Sequence, residues 1–102
     1  MTAIVFPTWR DKIVYSPAGP QPQILLETEK SKALLAGLEP DQMIPEHPEG
    51  PAIYHFLEGK GWMIVDGERL AVGPGVTVAI PAGAKRGMQA ETRLAFLAVR
   101  LA

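Results

Sequence analysis

Apolar residues along this chain come in short bursts of strand length, and no unbroken stretch keeps helical spacing for three turns. The runs Gln23–Thr28, Lys32–Leu38, Met43–His47, Ile53–Leu57, Gly61–Val65, Arg69–Val72, Val76–Ile80 and Leu94–Leu101 read as strands, with a ninth around Arg86–Ala90. Glu29–Leu38, rich in Ala, Leu and Lys, is the best helical alternative, but turn signals crowd it on both sides and favour strand. Gly and Pro separate the runs. Pro17, Gly19, Pro20 and Pro22 make a rigid loop, Glu39-Pro40-Asp41 a turn, and Pro45, Pro48, Gly50 and Pro51 interrupt the next stretch. Asp66-Gly67, set between two apolar runs, signals a tight hairpin, because Gly accepts the positive φ such a turn needs. Gly73-Pro74-Gly75 and Pro81-Ala82-Gly83 mark two more turns. Short strands with a turn about every ten residues predict an all-β sandwich or barrel.

Two runs, Trp62–Val65 and Leu94–Val99, are apolar on both faces. A sheet with one face in water alternates instead. The outer face is therefore expected to be covered, most simply by a second subunit, which makes a homodimer the expected state. No internal repeat or linker divides the chain. The expected organisation is an N-terminal arm and edge strand over 1–22 and a barrel over 23–102.

Composition narrows the function classes. The chain has 102 residues, 47% hydrophobic and 21% charged, enough for one ordinary globular core. Its formal net charge is −1, and its ten Lys and Arg are scattered, so nucleic acid is not an expected partner. Cysteine is absent, which removes disulfides, thiol nucleophiles and Cys-ligated zinc. No apolar run approaches the ~20 residues of a membrane helix. The first ten residues lack the basic-then-apolar pattern of a secretory signal, so the expected location is cytoplasmic and no membrane partner is expected.

Two motifs then carry a resemblance. Leu38-Glu-Pro-Asp41-Gln-Met-Ile-Pro-Glu-His47, continuing into Phe56-Leu-Glu-Gly-Lys-Gly61, resembles the first motif of the cupin superfamily, with Asp41 in the place of that motif's opening Gly. Gly75-Val-Thr-Val-Ala-Ile-Pro81-Ala-Gly83 matches the first half of its second motif, G-x5-P-x-G-x2-H-x3-N, residue for residue. The motif's His then falls on Arg86 and its Asn on Ala90. The resemblance runs from about Gln23 to the C-terminus. It implies a cupin-type double-stranded β-helix, the jelly-roll barrel of RmlC-like proteins.

In the family, the first motif supplies His-x-His and a Glu to a metal, and the second supplies a further His. Counting from Asp41 puts the first His at His47 and the second at Glu49, while counting back from Gly59 puts the Glu at Ala52. The counts differ by one residue, so the loop between Pro48 and Ala52 is shortened; an alternative register puts His47 second and Pro45 first. Either way one His survives and Arg86 takes the third His place. A guanidinium has no lone pair to offer a cation and repels it. His47 and Glu49 are weak metal candidates and too few for a tight site. No cofactor is expected, and a divalent metal is disfavoured.

Arg86 in that place points into the barrel beside His47 and Glu49. It can grip a carboxylate or phosphate through paired hydrogen bonds, or it can close the vacated site as an internal ion pair with Glu49. Tyr54 and Phe56 share the inward parity, and Met43 and Met88 are candidates to line the same cavity, as ligand-binding residues or as plain core. His55 has outward parity. Trp62 and Ile64 stand where many cupins carry polar residues, which suggests a dimer surface with Phe6 and Trp9 of the N-terminal arm contributing. The leading expectation is a small anionic organic ligand held in the barrel without a tightly bound metal. The resemblance also admits a metal-free isomerase or epimerase, with His47 as base and Tyr54 as acid. Two further readings are a dioxygenase-like enzyme with ligands drawn from His47, Glu49 and His55, and a purely structural or regulatory module.

Overall fold

The computed structural model of the chain describes residues 2–101. Thr2–Pro22 form an arm with one turn of 3₁₀ helix at Trp9–Asp11. Nine strands follow: β1 (Gln23–Glu27), β2 (Ser31–Leu38), β3 (Met43–Pro48), β4 (Ala52–Glu58), β5 (Gly61–Val65), β6 (Glu68–Val72), β7 (Thr77–Ile80), β8 (Lys85–Ala90) and β9 (Leu94–Leu101). They build two antiparallel sheets, one ordered β1-β2-β9-β4-β7 and the other β3-β8-β5-β6. This is an all-β double-stranded β-helix. Glu29–Leu38 is mostly strand, as turn chemistry favours, because its alternate residues Leu34, Ala36 and Leu38 can all reach the core.

The core lies between the sheets. Leu34, Ala36, Leu38, Tyr54, Phe56, Leu94, Phe96 and Ala98 face inward from the larger sheet, and Met63, Val72, Met88 and Ala90 from the smaller. Two-residue periodicity accounts for nearly all of these positions. The β5–β6 hairpin turns on Asp66 and Gly67, both at positive φ, the pair of angles that a two-residue turn of matching twist demands. Asp41, in the place of the motif's Gly, also holds a positive φ of 69°, one of the few non-glycine residues to do so. Aspartate tolerates that region better than most residues, so the turn survives the replacement.

The arm changes the expectation about the outer face. Leu35, Gly37 and Ala95 face outward from β2 and β9, yet all are buried. A Cβ on Gly37 would lie 2.8 Å from the Tyr15 ring and 2.9 Å from Ile13, so the chain's own arm packs on this face. Much of the cover assigned to a second subunit is therefore internal. Trp62 and Ile64 lie on the outer face of the other sheet, half-buried, with the Arg69 guanidinium stacked 4.5 Å from the Trp62 ring centre. Phe6 and Trp9 sit on the arm, beneath Lys12 and Arg10 respectively. Ile13 and Tyr15 of the arm pack on the larger sheet, whereas Trp62 and Ile64 belong to the smaller.

Candidate functional site

β3 does not run straight. Its register against β8 passes from Ile44–Met88 to His47–Arg86, three steps on one strand against two on the other. The extra residue is a β-bulge at Pro45-Glu46, and Pro45 suits it because proline has no N–H to lose from the ladder. Gly87 makes room: a Cβ there would lie 2.6 Å from the Ile44 carbonyl oxygen and 2.8 Å from the Glu46 nitrogen. The bulge resets the parity of the strand. Ile44 and His47 both turn toward the barrel, and Met43 points out, 54% exposed. Met43 therefore does not line the cavity, a correction to the simple alternation drawn from the sequence.

One end of the barrel collects the charged residues. His47 and Arg86 are cross-strand neighbours on the smaller sheet. Arg100 closes the inward row Leu94, Phe96, Ala98, Arg100 on β9, and Glu49 sits in the shortened loop after β3. Arg86 is 1% exposed. Its Nη2 donates to the main-chain carbonyls of Glu49 and Ala84, both at 3.1 Å, and its Nε lies 3.4 Å from Ala84 O. The expected Arg86–Glu49 ion pair is not formed, since Arg86 meets the backbone of Glu49 and not its carboxylate. That carboxylate is taken by Arg100 Nη1 at 3.1 Å and His47 Nε2 at 3.2 Å. Arg86 Nη1 and Arg100 Nε are buried with no hydrogen-bond partner. Of the two guanidinium groups, only Arg100 meets a carboxylate.

His47 is held from both sides. Nδ1 lies 3.0 Å from Pro45 O and Nε2 faces Glu49. A carbonyl and a carboxylate only accept, so both ring nitrogens face an acceptor. His55 is on the outer face of β4, bonded through Nδ1 to Thr77 Oγ1 at 2.6 Å, on the far side of the sheet from His47. His47, Glu49 and His55 are therefore not brought together. Among the described residues no three His, Asp or Glu side chains gather around a point. With Arg86 in the third imidazole place, the donor set does not fit a cupin divalent metal.

Tyr54 and Phe56 face inward. Phe56 and Met88 are packed solid in the core, at 0% and 1% exposure, with Phe56 tilted against Phe96. Tyr54 instead borders a cavity of about 60 Å³, with His47 and Arg100 at its polar side. Leu34, Ala36, Ile44, Phe96 and Ala98 form its body, and Pro20 and Pro22 of the arm close it. No group among the described residues hydrogen-bonds the Tyr54 hydroxyl. The barrel is thus neither hollow throughout nor fully closed. Arg100 escaped the reading of the sequence because it lies beyond both motifs, although its inward parity after Leu94, Phe96 and Ala98 was the signal that finds it.

A family model described as "Cupin domain" matches residues 34–100. The chain belongs to the cupin family. Solved structures agree on the fold. A conserved protein of unknown function from Streptococcus pyogenes is 20% identical, with a TM-score of 0.87 over 99% of this chain and 90% of that one. An uncharacterized conserved protein with a double-stranded β-helix domain from Klebsiella pneumoniae is 19% identical, with a TM-score of 0.86 over 98% of this chain and 90% of the other. An RmlC-like cupin from Desulfovibrio desulfuricans is 19% identical, with a TM-score of 0.83 over 99% and 96%. No curated protein matches. Among the described residues of this cupin, no helix is long and apolar enough to cross a membrane.

Proposed function

We propose that this cupin is a binding module for a small organic anion, held at the charged end of the barrel without a bound metal ion. One observation carries the reading: Arg86 is buried and meets only main-chain carbonyls, while Arg100 takes the Glu49 carboxylate, and each guanidinium keeps a buried N–H with no partner. A buried cation that lacks a counter-ion is costly, and an anionic ligand would supply the missing charge. Binding is favoured over isomerase chemistry because both ring nitrogens of His47, the proposed base, are engaged by Pro45 O and the Glu49 carboxylate.

Thermal-shift titration in chloride-free buffer tests this, comparing acetate with its neutral isostere acetamide. Acetate raises Tm and acetamide does not. In Arg86→Gln, which keeps a donor for the Ala84 and Glu49 carbonyls but loses the charge, the acetate response falls sharply while unliganded stability changes by about 1 kcal/mol or less. Equal responses to acetate and acetamide would refute the reading.

The protein is also proposed to form a homodimer, through the open β1 edge of the larger sheet. β1 is an open sheet edge, and Ile24, Leu26 and the arm residues Ile4, Val5 and Phe6 leave a large apolar surface exposed beside it. An edge of this kind can pair with its own copy about a two-fold axis. Light scattering is expected to give a dimer for the native chain and a monomer for Leu26→Lys; a Leu26→Lys dimer would exclude this face.

A further inference from the structure

We infer that the anion is a short-chain monocarboxylate of two to four carbons, an inference that rests on the anion-binding reading above. The cavity is graded along the barrel. Cross-strand register sets Arg100 beside Ala52, Ala98 beside Tyr54 and Leu34, and Phe96 beside Phe56 and Ala36. On the facing sheet, His47 pairs with Arg86 and Ile44 with Met88. Both sheets therefore place their basic groups at one end and their apolar groups one or two rungs deeper. A carboxylate at the charged end meets Arg100, His47 and Tyr54, which line the cavity there, while its hydrocarbon tail runs toward Ala36, Ile44 and Phe96.

Size and polarity then restrict the class. An apolar cavity of ~150 Å³ accommodates benzene, so about 60 Å³ accommodates a tail of two or three carbon atoms. A sugar or nucleotide is too large for this space. A dicarboxylate would bring its second charge against Leu34, Ala36, Ile44, Phe96 and Ala98, none of which offers a side-chain donor. Inorganic phosphate would satisfy the charged end but leave the apolar body unfilled.

Calorimetric titration of the native chain with acetate, propionate, butyrate, hexanoate, malonate, succinate and phosphate tests the inference. Affinity is expected to rise about fourfold per methylene from acetate to butyrate, and to fall at hexanoate, when the cavity is full. Malonate and succinate are expected to bind at least about tenfold more weakly than butyrate, given the cost of an unpaired charge in an apolar site. Ala36→Val, which shortens the deep end, shifts the optimum toward acetate. If the dicarboxylates or phosphate bind as well as butyrate, or chain length has no effect, the inference is overturned while the anion-binding reading stands. Should none of these anions bind, both fail together.

Discussion

At the scale of single residues, the site turns on Glu49. Its carboxylate is the one anion shared by Arg100 and His47, and it is only partly exposed. Glu49→Gln keeps the shape and removes the charge. Stability at neutral pH is expected to fall by about 1–2 kcal/mol, between the small worth of exposed pairs and the larger loss on breaking a buried one. Anion affinity is expected to rise, because the substitution removes the charge that competes with ligand for Arg100. Chemical denaturation and acetate titration of the same variant check the two signs. A variant that lost both stability and binding would instead make Glu49 a structural support of the pocket. Arg86 itself was readable from the sequence, because the Gly75 to Gly83 turn sequence pins its place in the second motif. What it bonds to was not, since the choice between the Glu49 carboxylate and the Glu49 carbonyl depends on a loop one residue short.

At the scale of elements, the β3 bulge does the positioning. Without it, alternation from His47 would bring Met43 into the barrel and turn Ile44 to solvent. The opposed Gly87 permits it, because Ile44 O and Glu46 N approach where a side chain would stand. Both obstacles are backbone, so they cannot swing aside. Gly87→Ala is expected to cost about 1–3 kcal/mol as overpacking and to weaken anion binding by displacing His47 and the Glu49 loop. Equilibrium unfolding and ligand titration read the two effects, and an Ala variant of native stability would show that the bulge can relax. The strands themselves were legible almost to the residue, since Gly and Pro punctuate them and alternation marks their inner face. The bulge was not, because an inserted residue leaves no trace in a polar, proline-broken run such as Met43 to Pro48. Arg100 lies between these cases: its parity was plain, but it stood outside any motif.

At the scale of the whole molecule, the arm is both cover and wall. Its residues Ile13 and Tyr15 pack over Gly37, and its prolines Pro20 and Pro22 bound the cavity. Gln42 Nε2 pins it at Ser16 O, 2.7 Å away. Glu58 clamps it further, accepting from Arg10 Nη2 at 2.8 Å and the Tyr15 hydroxyl at 3.4 Å. The Arg10 hydrogen bond holds the Glu58 carboxyl below its ordinary range, and burial, then the Glu58 charge, holds the Tyr15 phenol above its own. The signs follow by linkage. A depressed carboxyl contributes stability that is complete above its unfolded value and lost as pH falls through its folded one. A raised phenol contributes stability that is complete below its unfolded value and lost as pH rises through its folded one. Arm docking should therefore be firm across the neutral range and loosen at both ends, below the ordinary carboxylate range and above the ordinary phenol range of about 10. Hydrogen exchange or limited proteolysis of Thr2–Pro22 as a function of pH measures this directly. Glu58→Gln should abolish the acid limb and leave the arm looser at neutral pH, and Tyr15→Phe should abolish the alkaline limb. Because Pro20 and Pro22 border the cavity, acetate affinity at neutral pH, where acetate stays ionised, should weaken in Glu58→Gln along with arm protection. A Glu58→Gln arm that loosens at neutral pH with no change in acetate affinity would separate the wall from the site.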